Sequence, residues 1–220
     1  MNNIITVLMM LILMTGCGGR PAPDWTLKSF NRLEDFKKQY LEGNTRIAEL
    51  NFNKALEEIK KSGNLDILSR AYLIRMAMET AVLEKVRDDE YLKIDAVASD
   101  PVHRNFHAFL TGRMNQVREQ ELPEQYRRIF RRLATENSTG MAQELKKIED
   151  PYSRLIATGV CFGQGRINED LLSTGIETAS HYGWKKALLV YLDKLRNYYQ
   201  DHHQPDKATA VAQRMQLITQ

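Results

Sequence analysis

The chain has 220 residues, enough for one domain of ordinary size with a substantial core. Charged residues make up 27% and apolar residues 43%, which excludes a disordered chain, and 31 basic against 28 acidic residues leave +3, too balanced to argue for a nucleic-acid partner. Glycine (12) and proline (6) are sparse, which favours helices, and two cysteines, Cys17 and Cys161, are too few for a disulfide framework.

The chain opens on an apolar run from Ile4 to Met14, "IITVLMMLILM". It is about half of the ~20 residues that a membrane-spanning helix needs. A run of this length bounded by small residues, here Thr15 and Gly16, reads as the core of a secretory signal peptide with its cleavage point. Met14-Thr15-Gly16-Cys17, with Leu13 before it, resembles the signal of bacterial lipoproteins: an aliphatic residue, two small residues, then cysteine. Met14 stands where that family favours leucine, and Met1 to Met14 contains no Lys or Arg. The resemblance implies a signal peptide over 1–16 and lipidation of Cys17, with a diacylglycerol on the thiol and a palmitate-like chain on the new amino group. It also implies, from Gly18 after the cysteine, residence in the outer membrane facing the periplasm. A thiolate is a good nucleophile for acylation, and two or three chains hold a protein stably where one does not. Residues 17–23, ending in "GGRPAP", form a tether that extends roughly 20 Å.

From residue 24 to 220 the apolar period is that of helices in a single domain. Asp24 is the expected cap of a first helix whose apolar positions are Leu27, Phe30, Leu33, Phe36 and Tyr40. "EGN" (Glu42 to Asn44) ends it, and Ile47, Ala48, Phe52, Ala55, Leu56 and Ile59 form the stripe of the next helix. After "KSGN", Leu65 to Leu83 is apolar nearly all round and reads as a central, buried helix. A short helix is expected within Asp88 to Ala98. Asp100-Pro101 is a helix start with Pro at the first position. Further helices are expected over Leu122 to Ala134, Thr139 to Ile148 and Tyr152 to Phe162. The last third reads as Ile167 to Tyr182, then a stripe from Trp184 to Tyr198, then Ala208 to Ile218 after the turn "HHQPD". Gly175 and Ala179 predict a close helix approach. No alternating strand of convincing length is present. The expected fold is all-α, antiparallel hairpins stacked as a solenoid or a bundle.

"GNTRIAELNFNKALE" resembles the second helix of a tetratricopeptide repeat, with small Ala48, aromatic Phe52 and Ala55. Trp184, Ala187, Leu188 and Tyr191 are similar to its first helix, with Ala208 and Ala212 in the second. The glycine that this family places after its leucine is absent, and no 34-residue period links the pairs.

Four features bear on chemistry. His103 and His107 stand at i and i+4, a spacing that suits a metal pair, but no zincin glutamate follows His103 and no third ligand is evident. Arg127, Arg128, Arg131 and Arg132 in "RRIFRR" form a candidate contact for lipid phosphate or an acidic partner; the alternative is a solvated face balanced by Glu124. "GQGRINED" reads as a loop, and Cys161 in "LIATGVCF" as a buried thiol. No nucleophile elbow or triad is recognised, and no cofactor is called for. The expected function is a membrane-anchored lipoprotein that serves as a protein-interaction scaffold or assembly factor in the bacterial envelope. The alternatives are a periplasm-facing hydrolase of cell-wall or lipid material, and an anionic-lipid-binding module.

Overall fold

The computed structural model describes residues 23–134 and 140–220. The expected signal peptide, Cys17 and most of the tether lie outside the described residues. These residues form eleven α-helices and two single 3-10 turns, with no strand among them. No helix among them is long and apolar enough to cross a membrane.

The first three helices run up, down and up: α1 (Asp24–Glu42), α2 (Thr45–Ser62) and α3 (Leu65–Ala81). Asp24 is not the cap. Pro23 occupies that flank without a side-chain hydrogen bond, and Asp24 is the first helical residue, where its charge still meets the positive end of the helix dipole. Gly43 ends α1 in the left-handed conformation (φ 94°), and the amide of Asn44 reaches back to the Gln39 carbonyl at 2.9 Å. Gly63 ends α2 in the same left-handed conformation (φ 66°), after which the Asn64 side chain caps α3 by accepting from the Ile67 amide at 3.1 Å.

The α1 stripe is shorter than its spacing suggests. Leu33, Phe36 and Tyr40 are buried, but Leu27 is 63% and Phe30 57% exposed. Steps of three residues each fall about 60° short of a full turn, so a run at 27, 30, 33 and 36 rotates about half way round the helix. Leu27 therefore stands opposite Phe36. Ile47 is likewise half exposed, while Ala48, Phe52, Ala55, Leu56 and Ile59 are buried. Phe52 lies between Phe36 (centroids 4.9 Å apart) and Tyr72 (5.7 Å), with Ala48 and Ala55 buried on the same helix.

α3 is the centre. It packs on α1, α2, α4 (Asp89–Asp95), α5 (Pro101–Leu110) and α8 (Pro151–Gly163). Its approach to α8 is close enough that a Cβ on Gly159 would lie 2.0 Å from the Thr80 carbonyl oxygen. Asp100 caps α5 by accepting from the His103 amide (2.9 Å) and Asp150 caps α8 by accepting from the Ser153 amide (2.7 Å), each with proline next in the chain. α6 (Glu124–Leu133) and α7 (Met141–Lys146) lie between them in sequence.

The last helices are α9 (Glu169–His181), α10 (Lys185–Asp201) and α11 (Pro205–Thr219). Asn168 caps α9, so this helix begins two residues later than Ile167, which is exposed. Gly175 faces the Tyr191 ring: a Cβ there would lie 2.5 Å from it. α10 returns to the first hairpin and packs on α1, where the Lys186 ammonium sits 3.8 Å from the Tyr40 ring centroid and 2.9 Å from Glu84 Oε1. α11 packs on α10 and buries only Ala208 and Val211; Ala212, Met215 and Ile218 are half-buried.

Candidate functional site

The face where α3, α5 and α8 meet carries an open, mainly apolar groove of about 560 Å³. Leu73, Ile74, Ala77 and Met78 form its α3 side. Val102, His103 and Phe106 come from the first turns of α5, and Tyr152, Ser153 and Ile156 from those of α8. Pro123, just before α6, and Lys37 of α1 complete it. Two Asp-Pro starts position both walls, because each aspartate turns its helix inward from a capped first turn. One carboxylate oxygen of Asp100 and one of Asp150 is taken by its cap, and both acids line the groove.

The basic groups on the rim are matched within the chain. Arg70 pairs with Asp66 at 3.1 Å, and Lys37 pairs with Glu34 at 2.8 Å while lying 4.6 Å from the Tyr152 ring centroid. Tyr152 in turn packs against the buried Trp184 (4.8 Å), and Phe106 against Tyr126 (5.7 Å). The groove is thus lined by side chains that are held from behind.

His103 and His107 part company. His103 lines the groove with Nε2 3.5 Å from Asp66 Oδ1. His107, one turn further along α5, serves other neighbours: its Nε2 is 2.9 Å from Asp88 Oδ2, its Nδ1 accepts from Arg113 at 2.7 Å, and its ring lies 4.5 Å from that of Tyr91. Burial holds the His107 pKa below the usual imidazole value, against the pull of Asp88. Among the described residues no group of three or more His, Cys, Asp and Glu side chains is placed to hold a metal ion.

The four arginines are also divided. Arg127 points back along the chain and donates to the carbonyls of Leu122 (2.9 Å) and Gln120 (3.0 Å). Arg131 pairs with Glu119 at 3.2 Å and Arg132 with Glu144 at 3.4 Å. Arg128, Arg131 and Arg132 border a shallow hollow of about 410 Å³ that Glu144 shares. Cys161 is a free, buried thiol whose pKa burial pushes up to about 12, so it is no nucleophile in the folded chain.

The sequence marks the Asp-Pro start at 100 but not its convergence with the one at 150. Met78 and Tyr152 carry no signal of their own, since apolar and aromatic residues at helical spacing look the same in a groove wall as in a core. Comparison of the chain with protein-family models, with curated proteins and with solved structures finds no match.

Proposed function

We propose that the chain is a lipid-anchored envelope scaffold that docks a partner protein in the groove between α3, α5 and α8. In this reading Cys17 carries the acyl chains, and the α1–α2 and α10–α11 hairpins are tetratricopeptide-like units. Small residues (Ala48, Ala55, Ala187, Ala208) let paired helices touch in these hairpins, and aromatics fill the space between them. The groove is the observation that carries the proposal. It is apolar, open and backed by packed rings, which suits capture of a peptide segment more than enclosure of a small substrate. Its rim selects the occupant: Lys37 and Arg70 are already neutralised, whereas Asp100 and Asp150 add two carboxylates at the groove. The fitting partner is an apolar segment flanked by lysine or arginine. Tethering at the outer membrane raises its local concentration.

The other readings have less support. A hydrolase built on His103 and His107 loses their cooperation, because the two rings serve different neighbours. An anion site built on "RRIFRR" shares its arginines with carboxylates and backbone carbonyls.

A photo-crosslinking residue at Val102, which is 51% exposed on the groove wall, tests the docking. The expected result is one cross-linked envelope protein, lost when Asp100 and Asp150 are both replaced by Lys in variants that keep their helix content. Cross-linking that is absent, or equal from Leu217 on α11, overturns it.

A further inference from the structure

We infer that the tether end of α1 is a lipid-contacting surface: Leu27 and Phe30 enter the outer part of the bilayer and set the body upright on it. The inference rests on the lipid-anchor reading above.

Leu27 and Phe30 are the first two large apolar side chains after the half-buried Trp25, and both are exposed, Leu27 on the side of α1 opposite Phe36 and Phe30 at the edge of the buried face. The three-helix order brings the last turn of α2 and the first residue of α3 to the same end. The carboxylate of Glu58 there feels both Lys28 of α1 and its own neighbour Lys61. Exposed Leu65, together with Lys28, Lys60 and Lys61, therefore shares that end with the apolar pair. Lys28 pairs with Asp24 (4.0 Å) and Lys61 with Glu58 (2.7 Å), so the apolar tips stand among lysine stems and paired charges, which suits a surface that is apolar inside and polar at its boundary.

The length of chain before α1 identifies the occupant. Only residues 18–23 separate the acylated Cys17 from Asp24, and six residues extend at most about 20 Å. Leu27 and Phe30 lie within the next two turns, so the anchor keeps them within roughly 30 Å of the lipid surface, closer than any other exposed apolar pair on α1. The opposite end of the hairpin stands clear. At about 1.5 Å per residue, Gly43 lies about 24 Å from Leu27 along the helix axis, with Ile47 in the first turn of α2 near that end.

The test uses the mature, acylated protein in phosphatidylethanolamine–phosphatidylglycerol vesicles. Leu27→Cys and, separately, Ile47→Cys carry an environment-sensitive fluorophore; both sites are exposed, and the buried Cys161 does not compete for the label. The expected result is a blue shift at position 27 that spin-labelled lipid quenches, with no shift and no quenching at position 47. An acylated, vesicle-bound protein with an unshifted label at position 27 overturns the inference and leaves the anchor standing. A mature mass without acyl chains overturns both. A shift that rises with the protein-to-lipid ratio and resists lipid quenching assigns the patch to a second copy of the chain, and also overturns it.

Discussion

Glu79, buried in the last turn of the central helix α3, holds Arg87 with both oxygens. Its Oε1 accepts from the guanidinium Nε at 2.7 Å and its Oε2 from the Arg87 backbone amide at 2.8 Å. The Glu79 side chain is 1% exposed and that of Arg87 57%, so the bridge runs from core to surface. It ties down the loop after α3, where Leu83 adopts a left-handed backbone (φ 57°) that a branched residue rarely takes. Removing either partner has unequal consequences. Arg87→Ala strands a buried carboxylate with only the backbone amide and should cost about 3 kcal/mol. Glu79→Gln keeps the acceptor oxygen, releases Arg87 to water and should cost less. Urea denaturation of the two variants against the parent chain gives the order.

Helix approach is set by two glycines, and a third serves as the control. Gly159→Ala drives a Cβ to 2.0 Å from the Thr80 carbonyl oxygen, which is backbone and cannot swing away. The loss should be about 3 kcal/mol or more, or failure to fold. Gly163→Ala, at the last position of the same helix, meets nothing within 4 Å and should stabilise by about 0.5 kcal/mol. Thermal unfolding of the pair separates packing from chain entropy.

His107 gives the fold a dependence on mild acid. Its imidazole is enclosed by Tyr91, Asp88 and Arg113, and burial depresses its folded pKa below the ordinary value of 6.5. The unfolded chain then binds a proton that the folded chain refuses. Stability is therefore full above the unfolded value and falls as the pH drops below it toward the folded one. Denaturation midpoints compared at about pH 7.5 and 5.5 should fall for the parent chain and fall less for His107→Gln. Equal slopes for the two would assign the acid loss to other groups.

The arginine run should behave as two kinds of residue. Arg127 satisfies two carbonyls at the 3-10 turns that precede α6, so Arg127→Ala should cost about 1–2 kcal/mol. Exposed Arg128 should be replaceable by Ala within about 0.5 kcal/mol. If instead the four act as one anion site, all four single variants should weaken binding to anionic vesicles alike and leave stability unchanged.

Several features were legible in the residues alone. The Asp-Pro start at 100 is a local event: a short carboxylate accepts from an amide three residues on, and no distant residue is needed. Glycine at 43 and 63 and the sparse proline elsewhere likewise mark helix ends from the chain itself. Gly175 was readable as a close approach because a small residue inside an apolar stripe leaves room for a neighbour. Leu27 and Phe30 were misread because a spacing of three resembles a stripe while drifting round the helix. Only the cylinder's geometry separates those two cases.

The sequence by itself determined the helices, their order and the apolar period that makes them pack, because propensity, capping and period act over a few residues. The tertiary structure alone decided that α3 lies at the centre and that α10 returns to α1. It also brought two capped helix starts to one groove and sent His103 and His107 to different partners. Those outcomes depend on which buried surfaces meet, and apolar burial is non-directional, so the pattern along the chain does not specify them.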